Sequence, residues 1–154
     1  MISNWLDLAY LKEFFDSNFH QVPSGLDLQR FTTQVLQEQA ELVDFLFRQS
    51  EVDDSQLDRF FVPLNNQEFI LKPIALRKGK ARKRKSLLRI YAVRIDVNCF
   101  VITGGAIKVT QAMQEASHTR KELARLRLVA DYLKDHGAYD LDLFLSFLEL
   151  DEDD

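Results

Sequence analysis

The residues of this sequence best suited to chemistry are two cations and an imidazole. Arg89 lies in LRIYAVRI, Lys108 in GAIKVT and His118 in SHTRKEL. An arginine or lysine set among apolar strand residues can steady negative charge on a bound anion. A histidine at a helix start is held toward its neutral form by the dipole and can take a proton from a ribose hydroxyl. Each has a plainer alternative. Arg89 and Arg94 could be structural ion pairs, because a charge on a covered sheet needs a partner. His118 could be an ordinary residue of a capping region. If the Lys108 ammonium emerges beside Arg89, the two make a cationic cleft. Tyr91, on the same strand, could pack in the core or stack on a base.

Around these residues the charge is unevenly spread. Lys72 to Arg94 holds ten of the twenty Lys and Arg residues and no Asp or Glu, whereas the rest of the chain has ten basic and twenty-four acidic side chains. Summed like charges raise a local potential that attracts phosphate-rich partners even where the whole chain is acidic. Seven of the nine residues from Arg77 to Lys85 are basic. Their mutual repulsion suits a solvated loop, with three readings: a plain loop, a nuclear-import address in KARKRK, or an arm whose Arg77, Lys78, Lys80, Arg82, Lys83, Arg84 and Lys85 contact phosphates. Arg94 and Tyr91 on the adjoining strand extend that candidate nucleic-acid surface.

Other chemistries lack their signatures. The sequence has no His and Cys cluster at zinc spacing, no phosphate loop and no dinucleotide fingerprint, and Gly104-Gly105 suits strand geometry better than phosphate binding. No metal or cofactor is therefore expected. Cys99, the single cysteine, reads as a buried strand residue. With no basic-then-apolar leader and no apolar run of membrane-spanning length, the expectation is a reducing, cytoplasmic setting without membrane contact.

The elements that must position these residues can be read from periodicity. At 154 residues the chain suits one domain over 1–150, helical in 1–66 and a β-meander with helices in 67–150, followed by an acidic tail at 151–154. Trp5, Leu8, Leu11 and Phe15 predict a first helix capped at Ser3. Asp27 caps a longer one to about Gln49, with Leu28, Phe31, Val35, Leu42, Phe45 and Leu46 as its stripe and Gln37, Glu38 and Glu41 outside it. Leu57, Phe60 and Phe61 make a helical turn that Pro63 stops, and Phe69-Ile70-Leu71 is a short strand candidate. Leu87 to Ile95, Cys99 to Thr103 and Ala106 to Thr110 read as three antiparallel strands, joined by a turn at Asp96-Val97-Asn98 and a bend at Gly104-Gly105. The first is central: Arg89, Tyr91, Val93 and Ile95 share one face, and Leu88, Ile90, Ala92 and Arg94 the other. Thr119 and Glu122 have capping-box spacing for a helix that Gly137 ends, and Asp140 caps a last helix over Leu141 to Leu148 with Leu143, Phe144, Phe147 and Leu148 as its apolar face. Five acids in Glu149 to Asp154 predict a mobile end that could cover the cationic face. The fold class is α+β, a small antiparallel sheet of about three or four strands packed against N-terminal helices and a C-terminal helix.

The stretch LRIYAVRIDVNCFVITGGAIKVTQ, followed by HTRKELARL, resembles the RelE and HigB branch of bacterial type II toxins. The matching positions are Arg89, Ile90 and Tyr91, then Phe100 to Ile102, Gly105, Lys108, Thr110 and Gln111, and the order of the elements is the signal. The resemblance implies helices on a small antiparallel sheet whose basic face cuts messenger RNA without a metal, commonly on the ribosome, under control of an antitoxin. It implies that Arg89 and Lys108 stabilise charge on the phosphate and that His118, or a lysine of depressed pKa, moves protons. Toxins of this branch are shorter and basic throughout, and an aromatic residue near their C-terminus has no counterpart in the matched segment. Two other readings stand beside this one. In the first, the basic segment belongs to a non-catalytic module that binds nucleic acid or ribosomes; in the second, it docks an acidic partner.

Overall fold

The computed structural model describes residues 2–64, 74–81, 85–109 and 117–152. A 3-10 turn over Ile2–Leu6 leads into α1, Leu8–Ser17. Asp7 caps α1, its Oδ1 accepting from the Ala9 and Tyr10 N–H groups at 3.0 and 3.3 Å, so the cap expected at Ser3 lies four residues later. Leu8 consequently faces solvent, and Trp5 is buried from the preceding turn. Val22 to Gly25 breaks the helical run as expected. Asp27 then caps α2, Leu28–Glu51, through the Arg30 N–H at 2.8 Å. Phe31, Val35 and Leu42 form the buried stripe, and Glu38 belongs to it rather than outside it.

α3, Leu57–Phe60, is followed by β1, Val62–Pro63, and then by β2, Ala75–Gly79. The β2 strand corrects the expectation that the whole of Arg77 to Lys85 is a solvated loop. Its backbone groups pair with β1 on one side and with β3, Leu88–Asp96, on the other, which outweighs the repulsion of its charges. The Phe69-Ile70-Leu71 candidate lies outside the described residues. β4 is one strand, Cys99–Ile107, where two were expected. Tyr91 pairs with Gly104 and Ala92 with Ile102, so Thr103 is the extra residue of a bulge. Gly104-Gly105 therefore continues the strand instead of bending it. A Cβ on Gly105 would lie 2.5 Å from the Trp5 ring and 2.8 Å from the Arg89 carbonyl oxygen; only glycine lets the indole rest there.

The sheet has the order β1-β2-β3-β4 and is antiparallel throughout, with β3 interior as its two apolar faces predict. Leu88, Ile90 and Ala92 meet Trp5, Leu11, Phe14, Phe31 and Val35 on the N-terminal side. Tyr91, Val93 and Ile95 meet Leu123, Leu126, Ala130 and Leu133 of α4, Ser117–Asp135, on the other. Each large side chain so enclosed contributes about 1.5 to 3 kcal/mol. Thr119 and Glu122 are buried inside α4 and do not form its cap. Gly137, at φ 71°, ends the helix, and the Ala138 N–H returns to the Leu133 carbonyl at 3.0 Å. The last helix, α5, runs over Leu141–Glu152 with Asp140 as its cap. It takes in residues 149–152, expected to be mobile, and it packs through Phe144 and Phe147 while Leu143 and Leu148 stay exposed. Among the described residues, no helix is long and apolar enough to cross a membrane.

Candidate functional site

One end of the sheet gathers the cations. β2 leaves there past Gly79, β3 enters at Leu88, and β4 finishes at Ile107, which pairs with Leu88. Side chains from three consecutive strands therefore converge: Lys78 and Lys80 from β2 and its exit, Arg89 from β3, and Lys108 one residue beyond β4. All four line an open cleft of about 980 Å³ whose opposite wall is formed by α2 and α3. Lys108 is fixed by its own N–H, which donates to the Leu87 carbonyl at 2.6 Å.

Arg89 is the best-held member. Its Nη1 donates to the Ser86 carbonyl at 2.9 Å and to the Leu88 carbonyl at 2.8 Å, which sets the guanidinium plane before any ligand arrives. Those carbonyls flank Leu87, and the Leu87 N–H is in turn held by Glu38, at 3.0 Å to Oε1 and 2.9 Å to Oε2. The same carboxylate takes the Leu88 N–H at 3.3 Å. Glu38 is buried, 2% exposed, and its charge sits beneath the strand that carries Arg89. One turn earlier on α2, Gln34 donates to the Lys85 carbonyl at 3.0 Å. Two residues of one helix thus pin the chain as it returns from the basic run.

The electrostatics follow from this crowding. Burial lowers the pKa of Lys78, and the charges of Arg89 and Lys80 lower it further. Lys108 is lowered for the same reasons, by burial first and then by Arg89, Lys78 and Lys80. Burial also lowers Arg89, with Tyr91 and Glu38 acting in the opposite direction. Among the described residues, none of the four is joined to a carboxylate in a salt bridge. A cluster of this kind is suited to an anion with several acceptor oxygens, a phosphate above all.

The remaining sequence candidates are distributed as follows. Arg77 is buried in β2 on the face it shares with Ala92, its Nη1 donating to the Leu76 carbonyl at 3.2 Å. Lys85 is exposed, and Arg82, Lys83 and Arg84 lie outside the described residues. Arg94 is five residues from Arg89, roughly 16 Å along an extended strand. It pairs there with Asp58, Nε to Oδ1 at 2.9 Å, and that bond above all raises its pKa. The ion-pair alternative is what the structure holds at Arg94. Tyr91 is completely buried between β3 and α4, and burial pushes its hydroxyl up to about 12; its ring offers no face to a base. Its hydroxyl and Glu122 Oε2 are buried without a hydrogen-bond partner among the described residues. His118 stands in the first turn of α4, with its side chain outside the described set.

Reading the sequence missed the second wall. Phe45, Gln56, Arg59 and Phe60 border the cleft on the α2 and α3 side, and the carboxylates of Glu41 and Asp44 line it with them. The sequence places Phe45 in the apolar stripe of α2 and Phe60 in a short helical turn, and no sequence signal marks either as lining a cleft. No group of three or more His, Cys, Asp or Glu side chains converges as a metal site among the described residues. No protein-family model, curated protein or solved structure matches this chain.

Proposed function

We propose that this chain is a toxin-like endoribonuclease that cleaves messenger RNA in the cytoplasm, on the ribosome or off it, and that a partner protein acting as antitoxin restrains it. The observation that carries the reading is the convergence of Lys78, Lys80, Arg89 and Lys108 on one cleft, with Arg89 oriented by two backbone carbonyls. In the reaction, the ribose 2′-oxygen loses its proton and attacks the adjacent phosphorus, a cyclic phosphate forms, and the 5′-oxygen of the next nucleotide leaves with a proton. Arg89 faces the non-bridging oxygens, where charge develops. Lys108, its pKa lowered by burial and by Arg89, reaches the neutral form more readily than a free lysine and is the proton acceptor. Lys78 supplies the proton to the leaving oxygen, and Lys80 adds electrostatic affinity. His118 is the alternative proton carrier from the start of α4.

The test is incubation of purified protein with messenger RNA, with and without translating ribosomes, followed by mapping of the cut ends. Arg89→Ala and Lys108→Ala variants that keep their helical signal should cut about a hundredfold more slowly or worse, the usual cost of removing an oriented charge-stabilising group in the first and a proton acceptor in the second. Expression of the unaltered chain should arrest growth, and that of the variants should not. RNA that is retarded on a gel yet stays intact would replace this reading with that of a non-catalytic binding module.

A further inference from the structure

The wall of the cleft opposite the cations takes no part in the chemistry above, yet it is built as carefully. Phe45 of α2 and Phe60 of α3 lie with ring centroids 4.7 Å apart, tilted by 36°. Phe60 is seated on the backbone of β2: a Cβ on Gly79 would come within 2.3 Å of its ring, so glycine is required for the aromatic to lie there. Lys78, next to Gly79, points to the other face of β2 from the one that Phe60 covers, and the aromatic and the cations come together only as lining of the same cleft, which Phe60, Lys78 and Lys80 all border. Behind it, Phe60 meets Phe61 edge-on, and Phe61 stacks on Phe100, so the ring is backed by the core. Phe45 has no such backing. It is partly buried, as Phe60 is, but lies outside the core cluster and borders the cleft.

A rigid aromatic beside a cationic row matches the repeat of a single nucleic-acid strand, in which a planar base accompanies each phosphate. A plain phosphate site would need only the cations, and a duplex would hide its base faces. We propose that Phe45 and Phe60 form a nucleobase subsite, on which one unpaired base of single-stranded RNA stacks while its neighbouring phosphate meets Lys78, Lys80 and Arg89. The subsite rests on the reading of the cleft as an RNA site and specifies the form of RNA it takes. Because every base has a π-face, stacking of this kind selects unpaired strands far more than it selects sequence.

The experiment uses the full chain and a labelled 2′-O-methyl RNA hexamer, which cannot be cut, alongside the same backbone lacking its bases. Removal of the bases should weaken binding by about five- to a hundredfold, the range for a stacked base. In Phe45→Leu, which keeps the apolar bulk and loses the π-face, the two oligomers should differ by less than about twofold. Lys80→Ala should instead weaken both oligomers alike and flatten the salt dependence. Equal binding of intact and base-free oligomers by the unaltered protein would overturn the proposal, as would full discrimination retained in Phe45→Leu. Duplex RNA, free adenosine monophosphate or an acidic peptide that binds as tightly as the hexamer would overturn it too. Base-dependent binding by a protein that never cuts RNA would refute the nuclease and leave the subsite standing. Salt-dependent binding and cutting without base dependence would do the reverse.

Discussion

Replacing Glu38 with alanine should damage both the fold and the cleft, because this carboxylate joins α2 to the entry of β3. The Leu87 N–H loses both of its acceptors, at 3.0 and 2.9 Å, and the Leu88 N–H loses a longer one, at 3.3 Å. Leu87 and Leu88 are 4% and 0% exposed, so water does not replace the lost oxygens without rearrangement. A buried amide left without a partner costs about 1 to 3 kcal/mol, and the longer bond adds a fraction of that. The expected loss is therefore about 2 to 4 kcal/mol, a large share of the ~5 to 15 kcal/mol that holds a domain of this size together. At ~2 to 4 °C per kcal/mol, Tm should fall by about 4 to 16 °C.

The assay is urea unfolding followed by the fluorescence of Trp5, the single tryptophan, which is buried at 2% exposure. Gln37→Ala, one residue away on the exposed side of α2, is the control and should change stability by less than about 0.5 kcal/mol. Anion affinity should fall with stability, since the Ser86 and Leu88 carbonyls that orient Arg89 flank the amide released by the substitution. A Glu38→Ala protein within about 1 kcal/mol of the parent would refute the accounting, because it would mean that the two N–H groups find other acceptors.

Three further outcomes follow from the same geometry. Lys78 and Lys108 have lowered pKa values, so between those values and the ordinary 10.5 the folded protein binds fewer protons than the unfolded chain. Stability should rise with pH across that window, phosphate affinity should fall, and calorimetry in buffers of differing ionisation enthalpy should show proton uptake on binding. Asp58→Ala removes the partner of Arg94 and the acceptor of the Asn98 N–H at 3.1 Å; a loss of about 1 to 3 kcal/mol in urea unfolding is expected, and less than 0.5 would count against it. Burial raises the pKa of Glu122 more than Arg125 lowers it, so its protonated form is favoured in the fold and its contribution to stability declines as pH climbs from the ordinary 4.5 through the raised value. Glu122→Gln should flatten the dependence of Tm on pH in that range.

What the sequence disclosed about this fold was whatever a local period could carry. The stripe of α2, the two faces of β3, the Gly137 stop and the Asp27 and Asp140 caps are each visible within a few neighbouring residues. Glu38 escaped because its type outvoted its position: it falls at the spacing of Phe31, Val35 and Leu42, and a polar residue in such a stripe marks a buried acceptor. β2 escaped because repulsion among like charges is read locally, whereas the hydrogen bonds that overcome it come from strands remote in the sequence. Gly105 was misread as a bend for a similar reason, since the Trp5 ring that requires it is a hundred residues away. Arg89 and Lys108 were legible as isolated cations in apolar strands. Their meeting with Lys78 and Lys80, and the aromatic wall opposite, depend on which strand ends coincide.

That coincidence has an energetic side that bears on function. Lys78, Arg89 and Lys108, brought together with partial burial beside the exposed Lys80, destabilise the free protein, as their lowered values register. A fold with no use for the cluster would gain by moving one of these residues a position along its strand, where the side chain would leave the cleft. Here the cluster is instead held in place: Glu38 fixes the amides of Leu87 and Leu88, the neighbouring carbonyls fix Arg89, and the Lys108 N–H is tied to Leu87. Ordering like charges this way is disfavoured alone and favoured once an anion binds, because a ligand that selects the folded state stabilises it by mass action. On the function proposed above, the bound anion supplies the counter-charge that these cations lack in the salt bridges of the described residues, in a cleft that Glu41 and Asp44 also line.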